Sequence, residues 1–233
     1  MSERRSGATS ARRWFLARLG IGAGLLSATV AGPSATMAQI PGTTWRPTRH
    51  EQDDWLEEIP GKHRFMFDTT TPDALNLALQ FGNNYYTTNE QAYGLKDSDI
   101  AVLFVVRHKS TSFGYNDAMW AKYGQYFLNQ SGFSDPAVEQ PLKINVFLTG
   151  KPTASFGNAG RLNDLLKRGL HLAVCATSSR GIAGAIARGT GGDADKIFEE
   201  MGANLVSNAR RVPAGITAVN RAQERGYSFV HAM

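Results

Sequence analysis

The sequence predicts an α/β layer fold: a mostly parallel sheet flanked by helices on both faces. Three observations carry that expectation. Residues 99–107 (DIAVLFVVR) form an unbroken apolar run of strand length. With no polar alternation, such a run asks for burial on both faces, as in a parallel sheet. Residues 170–175 (LHLAVC) form a second run of the same kind. Around these runs apolar residues recur at helical spacing, and strands separated by helices at this rhythm mark the α/β class.

The elements follow in order. Residues 1–38 read as an export signal. Arg4, Arg5, Arg12, Arg13 and Arg18 make a basic start, residues 19–31 are modestly apolar, and Thr36-Met37-Ala38 offers a small-residue cleavage site. Residues 11–16 (ARRWFL) resemble a twin-arginine export motif, with Ala11 and Ala17 in place of the usual hydroxyl and lysine. An uncleaved anchor is the competing reading. The apolar stretch is short and broken by Gly20, Gly22 and Gly24, whereas a spanning helix needs about 20 apolar residues. No stable membrane span is expected once the signal is removed, and the expected location is the periplasm.

Residues 39–61, punctuated by Pro41, Pro47 and Pro60, read as a linker or surface arm. Residues 62–233 read as one domain. It opens with a strand at 63–68. Thr71 then caps a helix with Pro72 at its first position, and Ala74, Leu75, Ala78, Phe81 and Tyr85 recur along it. The strand at 99–107 follows, then an aromatic, partly helical stretch at 114–128 and a short strand at 142–148. A helix at 162–168 ends at Gly169. The strand at 170–175 leads to helices at about 179–188 and 194–201. An amphipathic helix at 213–225 and a strand at 227–231 close the chain.

Charge excludes one class of function. The chain has 25 Lys+Arg against 20 Asp+Glu, but five of those arginines and one acid, Glu3, fall in the signal. The remainder has 20 basic and 19 acidic residues, a net of +1. A basic working surface for nucleic acid is therefore not expected. There is one cysteine, so no internal disulfide. Motifs for a serine hydrolase elbow, a zinc-binding HExxH, a CxxC pair and a phosphate loop are absent. No metal and no cofactor are expected; the charge run at 50–54 lacks a completing ligand set.

The one cysteine, Cys175, stands where a buried strand ends, and Ser178 or Ser179 then begins a helix. Ligands of open parallel sheets gather outside the carboxyl ends of the strands. A helix start carries roughly half a positive charge and unpaired N–H groups, which favour a thiolate. Arg180 adds positive potential. His108, leaving the 99–107 strand at the same sheet edge, is a candidate to stabilise that anion or hand over a proton. The plainer reading is that Cys175 is a small buried hydrophobe and His108 an ordinary polar residue at a strand exit. Asp68 and the threonines 69–71 read as helix-capping residues, and His231 as a residue near the chain end.

Residues 166–175 (LKRGLHLAVC) resemble the cysteine strand of the DsrE/DsrF-like sulfur-relay family. The tail, 212–216 (VPAGI) and 221–227 (RAQERGY), is similar to that family's closing helix and strand. Residues 105–108 (VVRH) look like its second strand, with Lys109 where glycine is common. Residues 113–123 (FGYNDAMWAKY) look like an exported branch that also bears twin-arginine signals. The resemblance spans roughly residues 62–233. It implies a compact α/β fold assembled into homo-oligomers, and sulfur carried as a persulfide on Cys175 without a cofactor. The implied partner is a sulfur donor or acceptor, either a protein or a small sulfur compound.

Two functions follow as expectations. The first is an exported protein that carries or transfers sulfane sulfur on Cys175, with His108 assisting and Ser178, Ser179 and Arg180 forming the anion-stabilising helix start. The second is a non-enzymatic binding or assembly module in which the same sheet edge holds a small anion or ligand and Cys175 is packing; the aromatics of 115–127 motivate it as anchors for a ligand or partner, with core filling as their plainer reading.

Overall fold

The computed structural model describes residues 46–233. The expected export signal, residues 1–38, lies outside the described residues, as does the first part of the expected arm. Five parallel strands form one sheet: β1 (His63–Thr69), β2 (Ile100–Val106), β3 (His171–Cys175), β4 (Ala209–Val212) and β5 (Ser228–His231), in the order β4-β3-β2-β1-β5. All seven residues of β2 are buried, because it sits centrally with helices over both faces.

The helices are α1 (Trp55–Glu58), α2 (Pro72–Tyr93), α3 (Asp117–Ser131), α4 (Val146–Thr149), α5 (Arg161–Lys167), α6 (Ala176–Thr190), α7 (Ala194–Ala203) and α8 (Gly215–Glu224). They divide unequally. From α2 through α7 they pack on one face, where Leu75, Trp120, Phe147, Leu165, Ile186 and Met201 meet Phe104, Val106, Leu172 and Val174 of the sheet. Among the described residues only α1 and α8 cover the other face, with Leu56, Ala218 and Val219 against Met66, Leu103, Val105 and Ala173. Topology explains the split. Three connections step from β1 toward β4, and the last returns from β4 to β5 beyond β1. Crossovers of one hand must place helices on opposite faces when their direction reverses. Among the described residues no helix is long and apolar enough to cross a membrane.

The cap of α2 is as the sequence implies: Thr71 accepts the N–H of Ala74, and Pro72 is the first helical residue. Three differences from the sequence reading stand out: two expectations are corrected and one strand is added. No strand forms at 142–148. Asn145 is fully buried there, donates to the carbonyls of Phe113 and Tyr115, and caps α4 by accepting the Phe147 N–H. A strand that the sequence hid, β4, carries two arginines in four residues. Arg211 stacks over Phe198, 3.8 Å from the ring centre, so its stem covers apolar surface while its charge stays at the rim.

The arm is the third difference. Trp55, Leu56 and Ile59 are buried in the α8-side core. Arg64 of β1 caps the four-residue α1 by donating to the carbonyls of Leu56, Glu57 and Ile59, and the Tyr227 hydroxyl also donates to Leu56. A surface linker would make no such contacts. This segment covers a sheet face that α8 alone leaves open.

Candidate functional site

Adjacent strands whose outgoing connections rise on opposite faces open a crevice at their carboxyl ends, and open α/β sheets bind ligands there. In this sheet that point lies between β3, which leads into α6, and β4, which leads into α8. Cys175 and Val212 are register partners at that edge. The two helix starts are tied together by Thr177, whose hydroxyl donates to the Pro213 carbonyl at 3.1 Å.

Helix α6 begins three residues earlier than expected. Cys175 is itself the N-cap, and its Sγ accepts the backbone N–H of Ser178 at 3.5 Å. That is ordinary reach for a sulfur acceptor. The cysteine is a buried residue, 5 % exposed. Ser178 and Ser179 therefore stand inside the first turn. The Ser178 hydroxyl accepts the N–H of His108. Ser179 is fully buried, donates to the Cys175 carbonyl at 2.7 Å and accepts from the Tyr115 hydroxyl. Both serines shape the turn that presents the cysteine.

Two expected partners stand elsewhere. The Arg180 guanidinium pairs with Asp195 at 3.2 Å and lies over Phe198, 4.0 Å from the ring centre. It belongs to the α6–α7 surface. His108 leaves β2 at a left-handed backbone position, φ 55°. Its peptide is engaged on both sides, by Ser178 and by Gln130. Its imidazole is exposed and makes no hydrogen bond among the described residues.

The cation that the strand register sets beside the cysteine is Arg107, the residue before His108. Extending the β2–β3 register (Val105 beside Ala173, Val106 beside Val174) by one residue sets Arg107 beside Cys175, about 4.8 Å away along the hydrogen-bonding direction. Strand alternation puts both on the α8 face. The hydrogen bond to Asp68 holds the Arg107 pKa above its ordinary value, and the neighbouring Cys175 adds to this as a lesser cause.

Asp68 is 2 % exposed and was expected to cap a helix. Instead it accepts from Arg107 Nε at 2.7 Å and Nη2 at 2.8 Å, a two-point grip. Its Oδ2 also meets His231 Nδ1 at 2.9 Å. His231, opposite Asp68 in the β1–β5 register, thus joins the site from the far strand. The start of α8 presses on the arginine: a Cβ at Gly215 would lie 2.6 Å from Arg107 Cβ, so only glycine fits there. A row of polar groups, His231–Asp68–Arg107–Cys175, runs across four neighbouring strands. The sequence signal for it was thin: each residue closes a strand, but only the register shows that they align.

The aromatics of 115–127 are core. Tyr115, Trp120 and Phe127 are fully buried. Larger hollows lie away from the cysteine. One of about 560 Å³ is lined by Phe133, Leu142, Val146 and Phe156, among others, and one of about 860 Å³ by Phe65, Phe81, Tyr85 and Val230, among others. Cys175 is on the wall of neither. Among the described residues no three His, Cys, Asp or Glu side chains converge as metal ligands would.

No protein-family model matches the chain. No curated protein matches it either. Among solved structures, a protein of unknown function from Methanobacterium thermoautotrophicum is similar at 14 % identity and a TM-score of 0.36, over 73 % of this chain and 99 % of that one.

Proposed function

We propose that this chain is an exported sulfur-handling protein that carries sulfane sulfur as a persulfide on Cys175. The observation that carries the reading is the position of Sγ: it caps α6 at the switch point of the sheet, with the Ser178 N–H aimed at it. An amide and a neighbouring guanidinium both favour negative charge on sulfur. The resemblance of residues 166–175 and of the tail to DsrE/DsrF-like proteins supports the same role, and with it a periplasmic location and a homo-oligomer.

The chemistry is redox-neutral. The Cys175 thiolate attacks the outer sulfur of a donor persulfide, R–S–SH. The new S–S bond forms as the donor's S–S bond breaks, and R–S⁻ leaves with the electron pair. The proton stays on the transferred sulfur, leaving Cys175–S–SH. An acceptor thiolate reverses the step. The protein's own groups hold the sulfur in place and stabilise its charge.

The test is incubation of the purified chain with a low-mass persulfide, followed by intact mass. One added sulfur on the wild type and none on Cys175→Ser is the expected result. No adduct on the wild type, or an equal one on the variant, refutes the reading.

A small-ligand binding module is the second reading, and the apolar hollow bounded by Phe133 and Phe156 favours it. Its volume falls in the range of small-molecule sites. Displacement of an environment-sensitive apolar dye from wild type but not from Phe156→Lys would support it.

A further inference from the structure

We infer that the small molecule meeting Cys175 carries an anionic group, a carboxylate or comparable oxyanion, and that Arg107 binds it. The inference rests on the sulfur-handling reading and names the substrate class for that site.

Arg107 is fixed from several sides. Asp68 holds Nε and Nη2. Through its contact with Asp68 Oδ2, His231 fixes the carboxylate from the opposite strand. The first residue of α8 lies against the arginine's aliphatic stem. One nitrogen remains: among the described residues nothing accepts from Nη1. The side chain is 25 % exposed, whereas its carboxylate partner is 3 % exposed. The arginine side chain thus keeps solvent access with Nη1 unengaged, while its acid partner is buried.

Among the described residues no acceptor other than Asp68 engages the guanidinium. The first turns of α6 and α8, which flank the crevice, contain no acidic residue. An arginine whose orientation is already fixed loses little entropy when it binds, and a planar guanidinium suits an oxyanion. Cys175 is buried, 5 % exposed, so a donor that reaches it needs its sulfane sulfur on a slender tip. A small anionic persulfide meets both demands: its oxyanion on Arg107, its outer sulfur toward Sγ on the neighbouring strand.

The test is a charge series of donors of similar size: the persulfides of mercaptopropionate, mercaptoethanol and cysteamine, which are anionic, neutral and cationic. Initial rates of one-sulfur gain on Cys175 are read by intact mass. Any general effect of Arg107 on the sulfur is common to all three, so the ratio of rates isolates recognition. Wild type is expected to load from the anionic donor faster than from the cationic one by on the order of fivefold. The ratio is expected to fall to near one in Arg107→Gln, to persist in Arg107→Lys, and to shrink in wild type as salt is raised. A wild-type ratio of one, a ratio indifferent to salt, or a preference that survives Arg107→Gln overturns the inference. If Arg107→Gln does not fold, the salt series on wild type decides. Absence of any adduct from all three donors instead refutes the sulfur reading itself.

Discussion

The sulfur of Cys175 accepts the backbone N–H of Ser178 across 3.5 Å, so a thiol occupies the capping position of α6. Serine, aspartate and asparagine are the preferred residues there, because an oxygen accepts the orphan N–H better than sulfur does. A chain shaped for stability alone would place one of them at 175. Cys175→Ser should therefore fold and be as stable as wild type or more so, by about 0.5–1 kcal/mol. Thermal melting checks this, with sulfur uptake assayed alongside and expected to vanish. A loss above about 2 kcal/mol would mark Cys175 as a packing residue whose volume the core requires.

Asp68 receives three hydrogen bonds while 2 % exposed. Removing one member of a buried ion pair costs several kcal/mol, because the other charge loses its partner but not its burial. Asp68→Ala should lower unfolding free energy by about 3 kcal/mol in urea denaturation. The pair Arg180–Asp195 serves as the control, with side chains 61 % and 89 % exposed; Asp195→Ala should cost less than about 1 kcal/mol. Equal losses would mean that the Asp68 network is no more than a surface pair.

Much of the fold was legible because its strands announce themselves. The β2 run has no polar residue to orient it, so burial on both faces was the only arrangement open to it. Thr71-Pro72 and Gly169 punctuated their helices as their backbone chemistry requires. What stayed hidden had one of two causes. In β4, two consecutive arginines mask a strand, Arg211 laying its stem over Phe198, and in the 47–61 segment the polar flanks of Trp55 and Leu56 disguise a packed turn. In the site, the cysteine and its serines were legible from a strand-to-helix junction. Arg107, Asp68 and His231 were not, because their meeting depends on strand order. A sequence shows that each residue ends a strand, but not which strands are neighbours. At His108, the histidine singled out, the peptide bonds to Ser178 and Gln130 and the ring is exposed.

That peptide adopts φ 55° at His108, a region that costs L-residues about 1–2 kcal/mol and glycine nearly nothing. Glycine brings an entropic cost of roughly 0.5–1 kcal/mol in return. His108→Gly should thus be neutral to stabilising by about 0.5 kcal/mol and should keep the N–H to Ser178 in place. His108→Val should lose about 1–2 kcal/mol, since a β-branched residue resists the left-handed region. Denaturation curves of both variants decide, together with sulfur loading, which should be unchanged in the glycine variant. A large loss of loading there would return a chemical role to the imidazole.

Alkaline pH probes the core through its tyrosines. Burial pushes the Tyr115 hydroxyl up to about 12, with the hydrogen bond to Ser179 acting in the opposite sense. Burial likewise pushes Tyr227 up to about 12, countered by Arg64. Both folded-state values lie above the ordinary value of about 10. For a group raised in this way, the folded state binds the proton more tightly than the unfolded chain does. Its contribution to stability is intact below pH about 10 and is lost as pH rises toward 12. The fold should hold its circular dichroism to about pH 10 and weaken progressively above it. Phenolate absorbance, taken as the difference between wild type and Tyr115→Phe or Tyr227→Phe, should appear together with the loss of structure. Ionisation of either residue near pH 10 in a chain that keeps its native dichroism would show that these hydroxyls are not sequestered. Tyr227 would then release the Leu56 carbonyl, which its hydroxyl helps to satisfy, and the α1 segment would be the first element to detach from the sheet.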